Sequence, residues 1–301
     1  MDSSIIDQAF SRADLLRDLQ LYPFNQLPAE DPSVIVHSSL KSIGFVIGGA
    51  ETVVRALLDW VGKDGTLVFP SFSYSLSDPE QWHHPPVAPH LVEKVRNGLP
   101  LFNVDLSQID TGAIPSLAAR FPGALRSIHP NGSVVALGKH AQRIVSSQRI
   151  ENSLLPDGPF GQVYALNGWV LSIGTELDSN SSIHLAERWA CGGKGLPYLG
   201  EVWKSRVPVD TPRGREWVLL DKEGNCSTGF RRIEPALRSR GVISYGRVGR
   251  SHCQFMSHRR LIDETAKILD GDPLALLCSD PNCPQCAPAW AKYGVGRQRE
   301  W

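Results

Sequence analysis

The sequence predicts an α/β fold: a central mixed, largely parallel sheet flanked by helices, with a small antiparallel β insertion. Three observations point there. Short β-branched runs (SVIVHSSL, GTLVFPSF, GSVVALG, GWVLSIG) recur along the chain and are too continuously apolar for a half-solvated sheet. Segments with apolar residues at helical spacing separate them, and a strand, helix, strand order favours parallel pairing. From Lys194 to Cys226 the pattern changes to alternating stretches interrupted by Pro and Gly, which suits a small sheet of its own.

Element by element, residues 5–20 (IIDQAFSRADLLRDLQ) lead in as a short helix, followed by the strand SVIVHSSL, which ends in small polar residues. GGAETVVRALLDWVG is an amphipathic helix closed by Gly62, and GTLVFPSF is the next strand. Residues 75–108, rich in Pro, His, Trp and Asn, are too irregular for a packed element and too long for a plain connection, so they suit a lid or binding loop. TGAIPSLAARFPGA resumes helical spacing, GSVVALG is a strand, PFGQVYALNG a short helix and GWVLSIG a further buried strand. FRRIEPALRSRG and SHRRLIDETAKILDG are helical again. There is no internal repeat, and the length of 301 residues suits one domain over 1–301.

Lys plus Arg and Asp plus Glu both number 31, so overall charge steers the chain toward neither nucleic acid nor an anionic membrane. No apolar run reaches the roughly 18 residues of a membrane span, and the start MDSSIIDQAF has no signal-peptide pattern. The expectation is a cytoplasmic protein with no nucleic-acid or membrane partner. Of the six cysteines, Cys278, Cys283 and Cys286 crowd into CSDPNCPQC. In a reducing compartment that spacing suggests three ligands of a structural zinc site clamping residues 252–290, with Cys253, or His252 beside it, as the fourth. Free thiols or a disulfide are the alternatives.

The chemistry concentrates in DSNSSIHLAE, residues 178–187, where Asp178, Ser181, His184 and Glu187 recur at a three-residue step after a buried strand. With Asp178 or Ser181 capping a helix, His184 falls in its first turn and Glu187 one turn later on the same face. The helix N-terminus disfavours imidazolium while the carboxylate favours it and fixes the ring tautomer, a balance suited to a general base. A solvated surface pair is the structural alternative. Ser181 as a nucleophile lacks a glycine-flanked elbow. HSSLKSIGFVIGGAETVV, a strand followed by hydroxyls, glycines and a helix start, forms a plausible phosphate cradle, although it matches neither the Walker nor the dinucleotide pattern. Arg126, His129 and Ser133 surround a Pro-Asn-Gly turn that enters a strand.

Taken together, VHSSLKSIGFVIGGAETVVRALLDWVGKDGTLVFPSF, DTGAIPSLAARFPGALRSIHPNGSVVALG and DSNSSIHLAE resemble, in order, the aminoglycoside 3-N-acetyltransferase family, antibiotic acetyltransferases unrelated to the GNAT fold. The resemblance spans roughly residues 33–190, with a looser echo in YGRVGRSHCQFMSHRRLIDETAKIL. It implies direct acetyl transfer from acetyl-CoA to an amine, most directly the 3-amino group of an aminoglycoside. The family's D-x-x-T-x-x-H-x-x-E pattern falls on Asp178, Ser181, His184 and Glu187, with Ser in place of Thr. Coenzyme A contacts carry over to Ser38, Ser39, Ser42, Gly44 and Ser71, and to Arg126 and Ser133. Backbone N–H groups near Ser71 or in the Ser38 to Gly44 loop are candidate donors to the thioester oxygen.

Because aminoglycosides are polycations, Asp105, Asp110, Glu151, Asp157, Glu176, Asp178 and Glu187 are expected to converge beside the loop. Two alternatives stay open: an acetyltransferase of the same fold acting on a non-antibiotic amine, and a catalytically silent zinc-containing binding protein.

Overall fold

The computed structural model describes residues 6–82, 85–150, 153–154, 156–199, 205–220 and 226–295. Seven strands form the main sheet: β1 (Ser33–Ser38), β2 (Thr66–Pro70), β3 (Leu125–Arg126), β4 (Val134–Gly138), β5 (Trp169–Ile173), β8 (Ser244–Val248) and β9 (Ser251–Ser257). Their spatial order is β8-β9-β5-β1-β2-β4-β3. β1 pairs in parallel with β2 and with β5, whereas β4 on β2, β3 on β4, β9 on β5 and β8 on β9 are antiparallel. The sheet is therefore mixed, with its parallel part confined to the three central strands.

Those central strands are apolar on both faces because both are covered. Ile35, Val68 and Val170 face one core layer, and Val34, Val36, Leu67, Phe69 and Leu171 face the other. The helix α1 (Arg12–Leu19) lies in the second layer with α2 (Gly49–Val61) and α3 (Ala113–Ala118). It is shorter than the predicted lead-in because Ser11 and Asp14 form a capping box that fixes its start, after a short strand Ala9–Phe10. The first layer holds α4 (Pro159–Ala165), α5 (Ile183–Trp189), α6 (His258–Gly271) and α7 (Cys286–Tyr293).

β8 and β9 come from SYGRVGRSHCQFMS, a hairpin to which sequence patterning assigns no strands, although it begins the following helix at Ser257. Ser257 marks the boundary, its hydroxyl accepting from the Arg260 amide at the start of α6.

The insertion is the two-stranded antiparallel sheet of β6 (Ser205–Thr211) and β7 (Gly214–Leu220). The remainder of the predicted 194–226 segment at 200–204 and 221–225 lies outside the described residues. Arg215 of β7 donates to the carbonyls of Arg96 and Leu99 at 2.8 and 2.7 Å, and the Asp78 amide donates to the Arg206 carbonyl. The irregular 75–108 loop thus docks on the hairpin. Among the described residues, no helix is long and apolar enough to cross a membrane.

Candidate active site

The carboxyl ends of the three parallel strands open onto a cavity of about 310 Å³, lined among others by His37, Ser38, Thr175, Asp178, Ser181 and His184. A parallel α/β sheet places ligands at such strand ends. His184 Nδ1 lies 2.7 Å from Glu187 Oε2 across one turn of α5. Glu187 is only 1% exposed, so the pair is not the solvated surface pair that its spacing alone allows. The carboxylate engages Nδ1 and leaves Nε2 as the ring nitrogen able to exchange a proton with a ligand. Phe230, fully buried, packs edge-on against the imidazole at 4.8 Å between centroids, which fixes the ring plane as the carboxylate fixes its rotation.

The helix begins later than expected. Ser182 occupies the N-cap position without a side-chain cap, and the Asn180 side chain accepts from the Ser182 amide at 3.1 Å. Asp178 is taken up in a preceding 3-10 turn, Leu177–Ser179, so neither it nor Ser181 caps α5. Both nevertheless line the cavity with His184.

Of the predicted coenzyme residues, Ser38, Ser39 and Gly44 line a neighbouring cleft of about 620 Å³ with Lys41, Gly49 and Gly112. Ser38 belongs to both spaces, so cleft and cavity adjoin at the end of β1.

The other four predicted contacts are engaged internally and line neither space. The Ser42 hydroxyl donates to the Ser39 carbonyl and lies 2.9 Å from the Ser251 hydroxyl. The Ser71 hydroxyl donates to the Phe69 carbonyl, and its amide donates to the Ser133 carbonyl. The expected N–H donor at Ser71 is therefore already occupied. The Ser133 hydroxyl donates to the Ser71 carbonyl at 2.6 Å.

Arg126 donates to Ser133, to Ser73 and to the carbonyls of Ser71 and Ser107, and its guanidinium lies over Phe102. It ties the strand ends to the loop at residues 102–107. Burial brings its pKa down to about 10.

The expected acidic convergence is not found among the described residues. Asp157 pairs with Arg149 and Glu176 with Arg231. The Asp110 carboxylate accepts from the Ser75 amide and the Gln108 side chain. Glu151 lies outside the described residues. Of the six described acids, Asp178 alone lines the cavity, with Glu187 behind His184. None of the described residues of the 75–108 loop lines the cavity; its flanking residues Phe72, Tyr74 and Thr111 do.

Two cavity-lining residues, Thr175 and His37, were missed as site candidates, and the predicted Ser38 shares their state. Thr175 Oγ1 and Ser38 Oγ are buried oxygens without a hydrogen-bond partner in the protein, and His37 Nε2 is in the same state. A buried polar atom without a partner, in a residue on a cavity wall, is a group that a bound ligand can satisfy. Burial holds His37 at a pKa of about 4, opposed only in part by Asn180 beside it, so its imidazole is neutral near pH 7. The signal for Thr175 was its place two residues past the end of β5, next to Gly174, which follows the strand as Ser39 follows β1.

The cysteines also regroup. Cys226, Cys278, Cys283 and Cys286 place their sulfurs within 4.8 Å of one another. Cys253 is not among them, because the register of β9 sets it opposite Ile173 of β5 and points it into the other core layer with Phe255. His252, its neighbour on the strand, is outside the group as well.

The mixed α/β sheet carries, at the ends of its parallel strands, a cleft that adjoins a histidine-lined cavity at Ser38, and the sequence assigns this scaffold to the acyltransferases. A profile of the aminoglycoside 3-N-acetyltransferase family matches residues 35–270, so the chain belongs to that family of acyltransferases.

Among its relatives is the SPbeta prophage-derived aminoglycoside N(3')-acetyltransferase-like protein YokD of Bacillus subtilis, 33% identical over 78% of this chain and 85% of its own. Aminoglycoside N(3)-acetyltransferase VII of Streptomyces paromomycinus is 30% identical over 85% of this chain and 90% of its own. The crystal structure of YokD superposes with a TM-score of 0.78 over 88% of this chain and 95% of that one, at 31% identity.

Proposed function

We propose that the protein transfers an acetyl group from acetyl-CoA directly to an amine, the 3-amino group of an aminoglycoside, with His184 as general base oriented by Glu187. The observation that carries this reading is the 2.7 Å contact of His184 Nδ1 to a carboxylate buried to 1% exposure, at the wall of a cavity that meets the cleft at Ser38. The names of relatives support the acceptor, and one neighbour of the same fold was solved as a binary complex with CoASH.

In this reading coenzyme A lies along Ser38, Ser39, Lys41 and Gly44 toward the start of α2, where uncapped amides and Lys41 favour its phosphates. Its thioester reaches the cavity at Ser38. An amine attacks a carbonyl only when unprotonated. As the C–N bond forms, the amine proton passes to His184 Nε2, and the imidazolium so formed is held by Glu187. The C–S bond then breaks, and the coenzyme thiolate takes up a proton to leave as the free thiol. The hydroxyls of Ser38 and Thr175, unpartnered in the protein, supply the donors that the developing oxyanion needs. No covalent acyl-enzyme is needed. Asp178, the one acid on the cavity wall among the described residues, meets an ammonium group of the acceptor.

The test is the product. An aminoglycoside incubated with acetyl-CoA and the protein should gain one acetyl group, located by NMR on the 3-amino nitrogen. Acetylation only of simple amines would move the acceptor to another class, a reading favoured by how few acids face the cavity.

A further inference from the structure

We infer that Cys226, Cys278, Cys283 and Cys286 bind one structural zinc ion, and that this ion holds the segment carrying Ser227 and Phe230 against the catalytic histidine. Three observations support the site. The four sulfurs lie within 4.8 Å of one another, and a tetrahedron with Zn–S of about 2.3 Å has S–S edges of about 3.8 Å, so a small contraction closes the set around the metal. Backbone amides already point at the sulfurs: Cys278 N–H donates to Cys286 Sγ at 3.3 Å and Cys286 N–H donates to Cys283 Sγ at 3.4 Å. Such donors stabilise thiolate ligands. Finally, Cys278, Cys283 and Cys286 are buried and Cys226 is half-buried, and none of the four is in a disulfide. Four soft ligands with no open position describe a closed structural site rather than a catalytic one.

The consequence lies in where Cys226 sits. It is separated by more than fifty positions in sequence from Cys278 and immediately precedes the 3-10 turn Ser227–Ile233. Ser227 lines the cavity and Phe230 packs on the His184 ring. On the opposite side, Cys286 opens α7, and Trp290 of that helix donates to the Cys278 carbonyl at 2.9 Å. Arg232, six residues past Cys226, donates to the Leu277 carbonyl at 2.9 Å. Gly229 lies so close to the cysteine loop that a Cβ there would stand 2.1 Å from the Leu276 carbonyl oxygen. One ion thus fastens the C-terminal segment to the cavity wall. The link to turnover rests on His184 being the base, whereas the metal itself does not.

The test begins with the untagged full chain. Elemental analysis should give one zinc per chain, released when a mercurial blocks the thiols. Cobalt exchange should give the visible and near-ultraviolet bands of a tetrahedral tetrathiolate. Cys226→Ala should lose the zinc, while Cys253→Ala should keep it. Removing zinc from the wild-type chain should lower kcat by about tenfold or more, and returning zinc should restore it. If Cys226→Ala does not fold, the wild-type metal content and cobalt spectrum still decide. The assignment is overturned by a chain that takes up no zinc when it is supplied, by iron in its place, by a disulfide among the four, or by loss of zinc on Cys253→Ala. Stoichiometric zinc whose removal leaves kcat untouched would overturn the link to the active site.

Discussion

His184 and Glu187 are useful together only because one is accessible to the cavity and the other is not. Glu187→Gln retains the side-chain shape but removes the charge that supports imidazolium, and kcat should fall by about 10- to 100-fold with little change in coenzyme A affinity, measured by steady-state kinetics beside calorimetry. Thr175→Val should lower kcat by about tenfold or more if its unpartnered hydroxyl meets the oxyanion; an unchanged kcat would remove it from the site. The His184 and Glu187 pair was legible in the sequence because helical spacing sets their shared face. Thr175 was not, since the value of a hydroxyl lies in its lack of a partner, which is a tertiary property. The reverse holds for Ser71 and Ser133: their strand-end positions suited ligand contacts, but folding brings them together and each satisfies the other.

Buried histidines add a dependence on pH. His37 is held at about 4 and His258 at about 3, in both cases chiefly by burial. Their folded values lie below the unfolded value of about 6.5, so between those values the unfolded chain binds more protons. Stability should therefore be complete above about pH 6.5 and fall as pH drops toward 4, by up to about 1.4 kcal/mol per pH unit for each group. Urea midpoints across that range check this, and a His258→Asn variant should flatten the slope.

At the scale of elements, the end of β5 places the site. Gly174 adopts φ +64°, and a Cβ there would stand 1.8 Å from the Ser42 hydroxyl, so only glycine lets the chain leave β5 beside the turn after β1 and carry Thr175 into the cavity. Gly174→Ala should destabilise the fold by about 2–4 kcal/mol, read as a lower urea midpoint. The strands entering the site were legible from their apolar runs, and α2 from its periodicity and its closing glycine. The β8–β9 hairpin was not, because SYGRVGRSHCQFMS mixes polar and apolar residues without a clean alternation, although the Ser257 start of the helix after it was. The unassigned strand also misplaced Cys253, since strand register, not sequence proximity, decides which core layer a side chain enters.

Across the whole molecule, the three parallel strands gather His37, Ser38, Pro70 and Thr175 at one end, and the cleft and cavity meet there. Equal numbers of acidic and basic residues leave no overall field to attract a polycation, so an aminoglycoside must be recognised by groups close to His184. Asp178→Asn should accordingly raise KM for the acceptor more than it lowers kcat, and the effect should shrink at high salt.

The most direct test of the account follows thiol release from acetyl-CoA with an aminoglycoside acceptor, comparing the wild type with His184→Ala while coenzyme A binding is measured on both. The account predicts that turnover falls by on the order of 10² or more while coenzyme A still binds. Wild-type turnover by His184→Ala would contradict it.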